Sequence, residues 1–191
     1  MSWSSPLADD AAVASSQARL ARLSRRMAWV TTVGIVLIIV LMGLAFAIPD
    51  WSRNLLLNRL GATGAKLPLG PAEQAALAAI YAVPIGVMVW GLWHVRALFR
   101  DFAIGRVFTA DAAERLRRFG LSVLLQGPLG PLTATALALA LSLGNPPGQR
   151  YLVLTVSIND YVALIVGGVL VAIAAVMREA TRLADENAAF V

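Results

Sequence analysis

The sequence predicts an all-α integral membrane protein: an antiparallel four-helix transmembrane bundle with an amphipathic N-terminal helix and both termini on the cytoplasmic side. Three observations carry that expectation. Of 191 residues, 59% are hydrophobic and only 14% are charged, whereas a soluble domain carries about 45–50% apolar and about 25% charged residues. The apolar excess is gathered into four runs, each long enough to cross a hydrocarbon core of about 30 Å at about 1.5 Å per helical residue. Lysine and arginine crowd one side of those runs, and that bias sets direction.

Residues 1–26 read as a cytoplasmic amphipathic leader and residues 27–191 as the four-span domain. In the leader, Ser5–Pro6 supplies an N-cap followed by proline at the first helical position. Asp9 and Asp10 come early and the arginines late, which suits the helix dipole. Leu20, Leu23 and Met27 recur at helical spacing beside a stripe of Arg19, Arg22 and Arg26. Such a surface fits a docking face for a partner; an interfacial anchor for the first span is the simpler reading.

The first span, 27–48, holds no charge and ends at Pro49–Asp50. Ala45-Phe46-Ala47 resembles a signal-peptidase site, but the run before it exceeds an h-region of about 7–15 residues, so a retained helix is the better reading. An outer loop, Pro49 to Glu73, leads to the second span at 75–98. The loop from Leu98 to Gly120 follows, in which Gly105 permits a turn, Thr109 can cap a new helix, and Asp111 and Glu114 occupy its early positions. The third span, 119–143, stops at Gly144-Asn-Pro-Pro-Gly148, and the fourth occupies 160–177. The tail from Arg178 extends the last helix by two or three turns, supported by the Glu179–Arg182 and Arg182–Glu186 spacings.

Twelve arginines flank these spans on one side: Arg19, Arg22, Arg25, Arg26, then Arg96, Arg100, Arg106, Arg115, Arg117, Arg118, then Arg178 and Arg182. The other side has only Arg53, Arg59, Lys66 and Arg150. Both termini are therefore expected on the cytoplasmic side of a membrane that the chain crosses several times. Trp29, Trp90 and Trp93 fall near the inner headgroup level, and Trp51, Tyr151 and Tyr161 near the outer one, where amphipathic rings settle.

A net charge of +5 could suggest nucleic acid, but the arginines border apolar segments and form no separate basic domain. Anionic headgroups account for them, at roughly 1 kcal/mol each, and no direct nucleic-acid binding is expected. With no cysteine and one histidine, thiolate metal sites, disulfides and multi-histidine sites are excluded, and no cofactor or metal is expected. No nucleophile–base pair, phosphate loop or paired intramembrane carboxylate is evident, so the chain is not expected to be an enzyme.

The intramembrane polar candidates are His94, Gln126 and Asp160. Asp160 stands where a carboxylate caps the fourth helix, which outweighs a functional charge in hydrocarbon. His94 and Gln126 fall at similar depth on neighbouring spans, where an interhelical hydrogen bond is the ordinary outcome and a ligand or proton site the sharper one. Pro84, Pro128 and Pro131 interrupt the second and third spans; they either kink packed helices or open a binding cavity. Gly168 with Ala172, and Ala134 with Ala138, place small residues one turn apart, which suits a tight bundle or a homodimer.

Two stretches carry a family resemblance: Ala103-Ile-Gly-Arg-Val-Phe-Thr-Ala-Asp111 with Leu116-Arg-Arg-Phe-Gly120, and Ile158-Asn-Asp-Tyr161 with Met177-Arg-Glu-Ala-Thr-Arg-Leu-Ala-Asp-Glu-Asn187. They resemble the central loop and the ending of a bacterial membrane family, domain of unknown function 2975 (DUF2975), over roughly Ala28 to Val191. Ala180 stands where that family usually carries glycine. The resemblance implies four spans and, because members are often encoded beside a small helix-turn-helix regulator, a regulatory role with such a regulator as partner. Arg106, Arg115, Arg117, Arg118, Arg178 and Arg182 would form the docking face. The rival expectations are a bundle that binds or transports a lipophilic or cationic small molecule, and an accessory subunit of a larger membrane complex.

Overall fold

Each apolar run becomes one long helix. The computed structural model describes residues 6–48, 50–51, 70–142 and 154–188. Ser5, most of the outer loop with Arg53, Arg59 and Lys66, the turn from Gly144 to Gly148, Arg150 and Tyr151 lie outside the described residues. The helices are α1 (Pro6–Ala47), α2 (Pro71–Ala103), α3 (Ala110–Ser142) and α4 (Ile158–Ala188). All four are long and apolar enough to cross a membrane, and among the described residues every regular element is helical.

The helices overrun the expected spans because an apolar run marks only the part suited to hydrocarbon, while capping chemistry sets where a helix stops. The leader is helical and continues into the first span without a break, making α1 42 residues long, about 63 Å at 1.5 Å per residue. Gly70 and Pro71 open α2. Its end is a glycine C-cap: Arg106 N–H donates to Asp101 O at 3.0 Å and Gly105 N–H to Phe102 O at 3.1 Å. This 6→1 and 5→2 pattern needs a left-handed residue, and Gly105 has φ +83°. Thr109 then starts α3, its Oγ1 accepting from Ala112 N–H at 3.1 Å.

Neighbours in sequence are neighbours in space, and antiparallel. α1 packs on α2, α2 on α3, and α3 on α4; among the described residues no other helix pair touches. The bundle is thus a row in which α3 is the most buried span and α1 and α4 are the flanks. All the arginines of the described residues from Arg19 onward gather toward one end of this row, here the basic end.

The seams differ in kind. Between α3 and α4, glycine lets backbones meet. A Cβ on Gly167 would strike the Leu124 backbone, one on Gly127 would strike Leu164, and one on Gly120 would lie 2.9 Å from Val171 N. The sequence offers Gly168 and Ala172 for close helix approach within a bundle or a dimer; they do not make this contact, since Gly168 has open space around it and Ala172 is exposed. One residue along a helix is a turn of about 100°, and the face that meets α3 carries Gly167 and Ala174. Ala134 and Ala138 are fully buried. Between α2 and α3, Gly91 accommodates Ser122, and Leu77 and Tyr81 pack on Leu137 and Ala138. The α1–α2 seam is thinner, with Phe46 meeting Tyr81 at 6.1 Å between ring centroids.

Candidate functional site

Two places gather polar groups: the mid-span region around Gln126, and the basic end. In the first, Gln126 Nε2 donates to the Pro84 carbonyl at 2.8 Å. Proline has no N–H and loosens the backbone bonding around it, and Gln126 on the next helix supplies a donor there. A cavity of about 170 Å³ adjoins this bond, lined by Ile38, Tyr81, Met88, Leu129, Thr133 and their neighbours. Helices α2 and α3 run unbroken through Pro84, Pro128 and Pro131, and Pro128 faces outward.

The expected contact between His94 and Gln126 is not made. Depth matching alone suggested it, but the antiparallel register sets Gln126 opposite Pro84 and His94 opposite Arg118. His94 Nδ1 meets the Trp90 carbonyl at 2.8 Å, and Nε2 meets Arg118 Nη1 at 3.4 Å. A carbonyl only accepts and a guanidinium only donates, so these contacts assign the proton to Nδ1. The imidazole also stands 4.6 Å from Trp90, centroid to centroid.

Asp160 is buried at the start of α4. Its Oδ2 accepts from Ser157 N–H at 2.8 Å, and its own N–H donates to Ser157 Oγ at 3.2 Å. This reciprocal pair is a capping box with Ser157 at the N-cap, and the carboxylate lies against Gly130 of α3. The capping role proposed for Asp160 is real in geometry but shared, since Ser157 holds the cap position.

At the basic end most of the expected docking arginines are occupied. Arg115 reaches across from α3 to Asp101 of α2 at 2.6 Å. Arg117 grips Glu114 through two bonds, of 2.8 and 3.0 Å, and Arg118 shares the same carboxylate at 3.0 Å. Arg182 bridges Glu179 and Glu186 at 2.5 and 2.6 Å. Among the described residues, Arg106 is exposed with no acidic partner. Arg178 is exposed too, but it is close enough to Glu179 to help the Arg182 hydrogen bond hold that carboxyl below the usual carboxylate range. The sequence reading passed over the apolar part of this surface: Phe108 is 78% exposed and Ile104 67% exposed, on the turn that carries Arg106. The signal was present in the quoted Ile-Gly-Arg-Val-Phe-Thr stretch, which arginine counting alone does not weigh.

A second cavity, about 600 Å³, opens between α1 and α2 at the basic end, lined by Arg25, Trp29, Thr32, Arg96, Arg100, Asp101 and adjoining residues. Arg96 Nε donates to Thr32 Oγ1 at 2.8 Å, and Thr32 donates in turn to Ala28 O at 2.8 Å. The Arg96 guanidinium lies 5.3 Å from the centre of the Trp93 ring, within cation–π range.

The chain belongs to the DUF2975 family, described as proteins of unknown function, whose sequence profile matches residues 14–191. That match takes in the second half of the leader as well as all four spans. No curated protein and no solved structure matches the chain.

Proposed function

We propose that this DUF2975 member is a non-catalytic regulator in the bacterial inner membrane, with both termini in the cytoplasm, whose basic end docks a soluble helix-turn-helix transcription regulator. Twelve basic residues flanking one side of the spans against four on the other support the orientation. The docking reading is carried by one observation: Phe108 and Ile104 stand exposed beside an unpaired Arg106 on the α2–α3 turn. Exposed aromatic and arginine side chains are the material of binding hot spots. The glycine cap and the Asp101–Arg115 bridge brace that turn, which lowers the ordering cost of association. The kind of partner follows from the family's common gene neighbourhood.

The test is capture of a co-expressed neighbouring regulator by the detergent-solubilised protein. Arg106→Ala with Phe108→Ala should weaken capture on the order of tenfold or more, as hot-spot loss does. The triple alanine variant at Arg115, Arg117 and Arg118 should do less, because those guanidiniums are already committed to Asp101 and Glu114. If the wild-type protein captures no regulator, or the double variant captures it equally well, the reading fails.

The cavity beside Gln126 favours a second reading, a bundle that binds or transports a small lipophilic or cationic molecule. At about 170 Å³ it suits a benzene-sized ligand. That reading expects Gln126→Leu to change ligand retention, while Pro128→Ala, on an outward face, leaves it unchanged. The open flanks of α1 and α4 suit a homodimer or an accessory role in a larger membrane complex.

A further inference from the structure

The α1–α2 cavity at the basic end holds an arrangement that intramolecular pairing does not explain. Three arginines, Arg25, Arg96 and Arg100, line one opening of about 600 Å³, within the range of about 300–1,000 Å³ typical of small-molecule sites. The one acid in its wall, Asp101, is bound to Arg115. Among the described residues, Arg25 and Arg100 have neither a hydrogen bond nor an acidic partner, and Arg96 uses only Nε, on Thr32. The outward amino groups of three guanidiniums are thus left without an anion.

What would fill the opening is constrained by its position. It lies between two spanning helices, at the end where charge begins, with Trp29 in its wall and 72% exposed. One to three turns farther along α1 the exposed side chains include Val33, Val36, Leu37 and Val40. A ligand bearing negative charge at one end and hydrocarbon at the other matches both halves of this surface. Guanidinium groups fit phosphate oxygens in forked pairs, and basic pockets between spans are suited to anionic headgroups. We propose that this cavity is a binding site for the phosphate headgroup of an anionic phospholipid, with the acyl chains lying along the outer face of α1. The site shares Ile104 with the docking turn, but it uses neither Arg106 nor Phe108, so the variants that test the two readings are distinct.

The experiment is native mass spectrometry of the full chain in detergent with equal amounts of phosphatidylglycerol and phosphatidylcholine, repeated with inorganic phosphate as competitor. The wild-type protein should retain phosphatidylglycerol preferentially. Arg25→Gln with Arg100→Gln should reduce that retention on the order of tenfold, whereas Arg178→Gln with Arg182→Gln, which removes equal charge at the same end, should not. Because Arg25 and Arg100 are exposed, the variant is expected to fold, and Arg25→Lys with Arg100→Lys, which keeps the charge but loses the fork, should retain only part of the preference. Equal retention of the two lipids, an equal loss in the control pair, or complete displacement by inorganic phosphate would each overturn the proposal.

Discussion

The α3–α4 seam and the α1–α2 seam join helices of similar length in opposite ways. Along α3–α4, glycines at 120, 127, 130 and 167 remove side chains from the contact, so the helices approach closely, backbone to backbone at Gly167 and Gly120. Along α1–α2, the meeting surfaces are an aromatic pair near one end and an arginine–threonine bond near the other, with an opening beside them. In a membrane, apolar side chains gain little by leaving lipid for protein, so close packing and polar contacts decide which helices hold together. The glycine seam is therefore the fixed half of the molecule, and the α1–α2 seam is the half with room for a ligand.

Adjacent glycines offer the sharpest way to break that contrast. Gly167→Ala must push the Leu124 backbone away, and overpacking of this kind costs about 1–3 kcal/mol. Gly168→Ala meets nothing and should be neutral or slightly stabilising, by up to about 1 kcal/mol of helix propensity. Thermal unfolding of the two variants in detergent should separate them; equal midpoints would mean that the α3–α4 contact is not the close one. Ser157→Ala removes the cap that seats Asp160 against Gly130 and should cost about 1 kcal/mol, read in the same melt. On the other seam, Thr32→Val deletes the acceptor of Arg96 and should cost only about 0.6 kcal/mol. A loss from Thr32→Val as large as that from Gly167→Ala would reverse the ranking of the two seams.

Much of this architecture was legible in the sequence because it depends on quantities a sequence carries directly. Span number follows from apolar run length, and the α2–α3 turn from Gly105 and Thr109, whose chemistry is local. Whatever depended on the rotation of one helix against another was not legible. The choice between Gly167 and Gly168 is a rotation of one residue, and the pairing of His94 with Gln126 fails on register, because they stand at different levels, opposite Arg118 and Pro84 respectively. The three arginines of the α1–α2 cavity were each counted as flanking charge, yet Arg25 stands more than 70 positions from Arg96 in the sequence, and only the antiparallel crossing brings them to one wall. The ion pairs were hidden for a related reason: Arg115, Arg117 and Arg118 look free in a linear list, yet Asp101 and Glu114 pair with them.

The unbroken course of α1 gives the N-terminal half a mechanical character. Only about half of its length fits within a hydrocarbon layer of about 30 Å, and the same rod continues beyond it without a hinge from Pro6 to Ala47. A rod pivoting at the bilayer acts as a lever: a tilt of about 10° in the buried part sweeps the far end sideways by roughly 5 Å, given 1.5 Å per residue over the protruding turns. Since α1 is held by α2 alone among the described helices, anything that wedges those two apart is converted into displacement at a distance from the lipid.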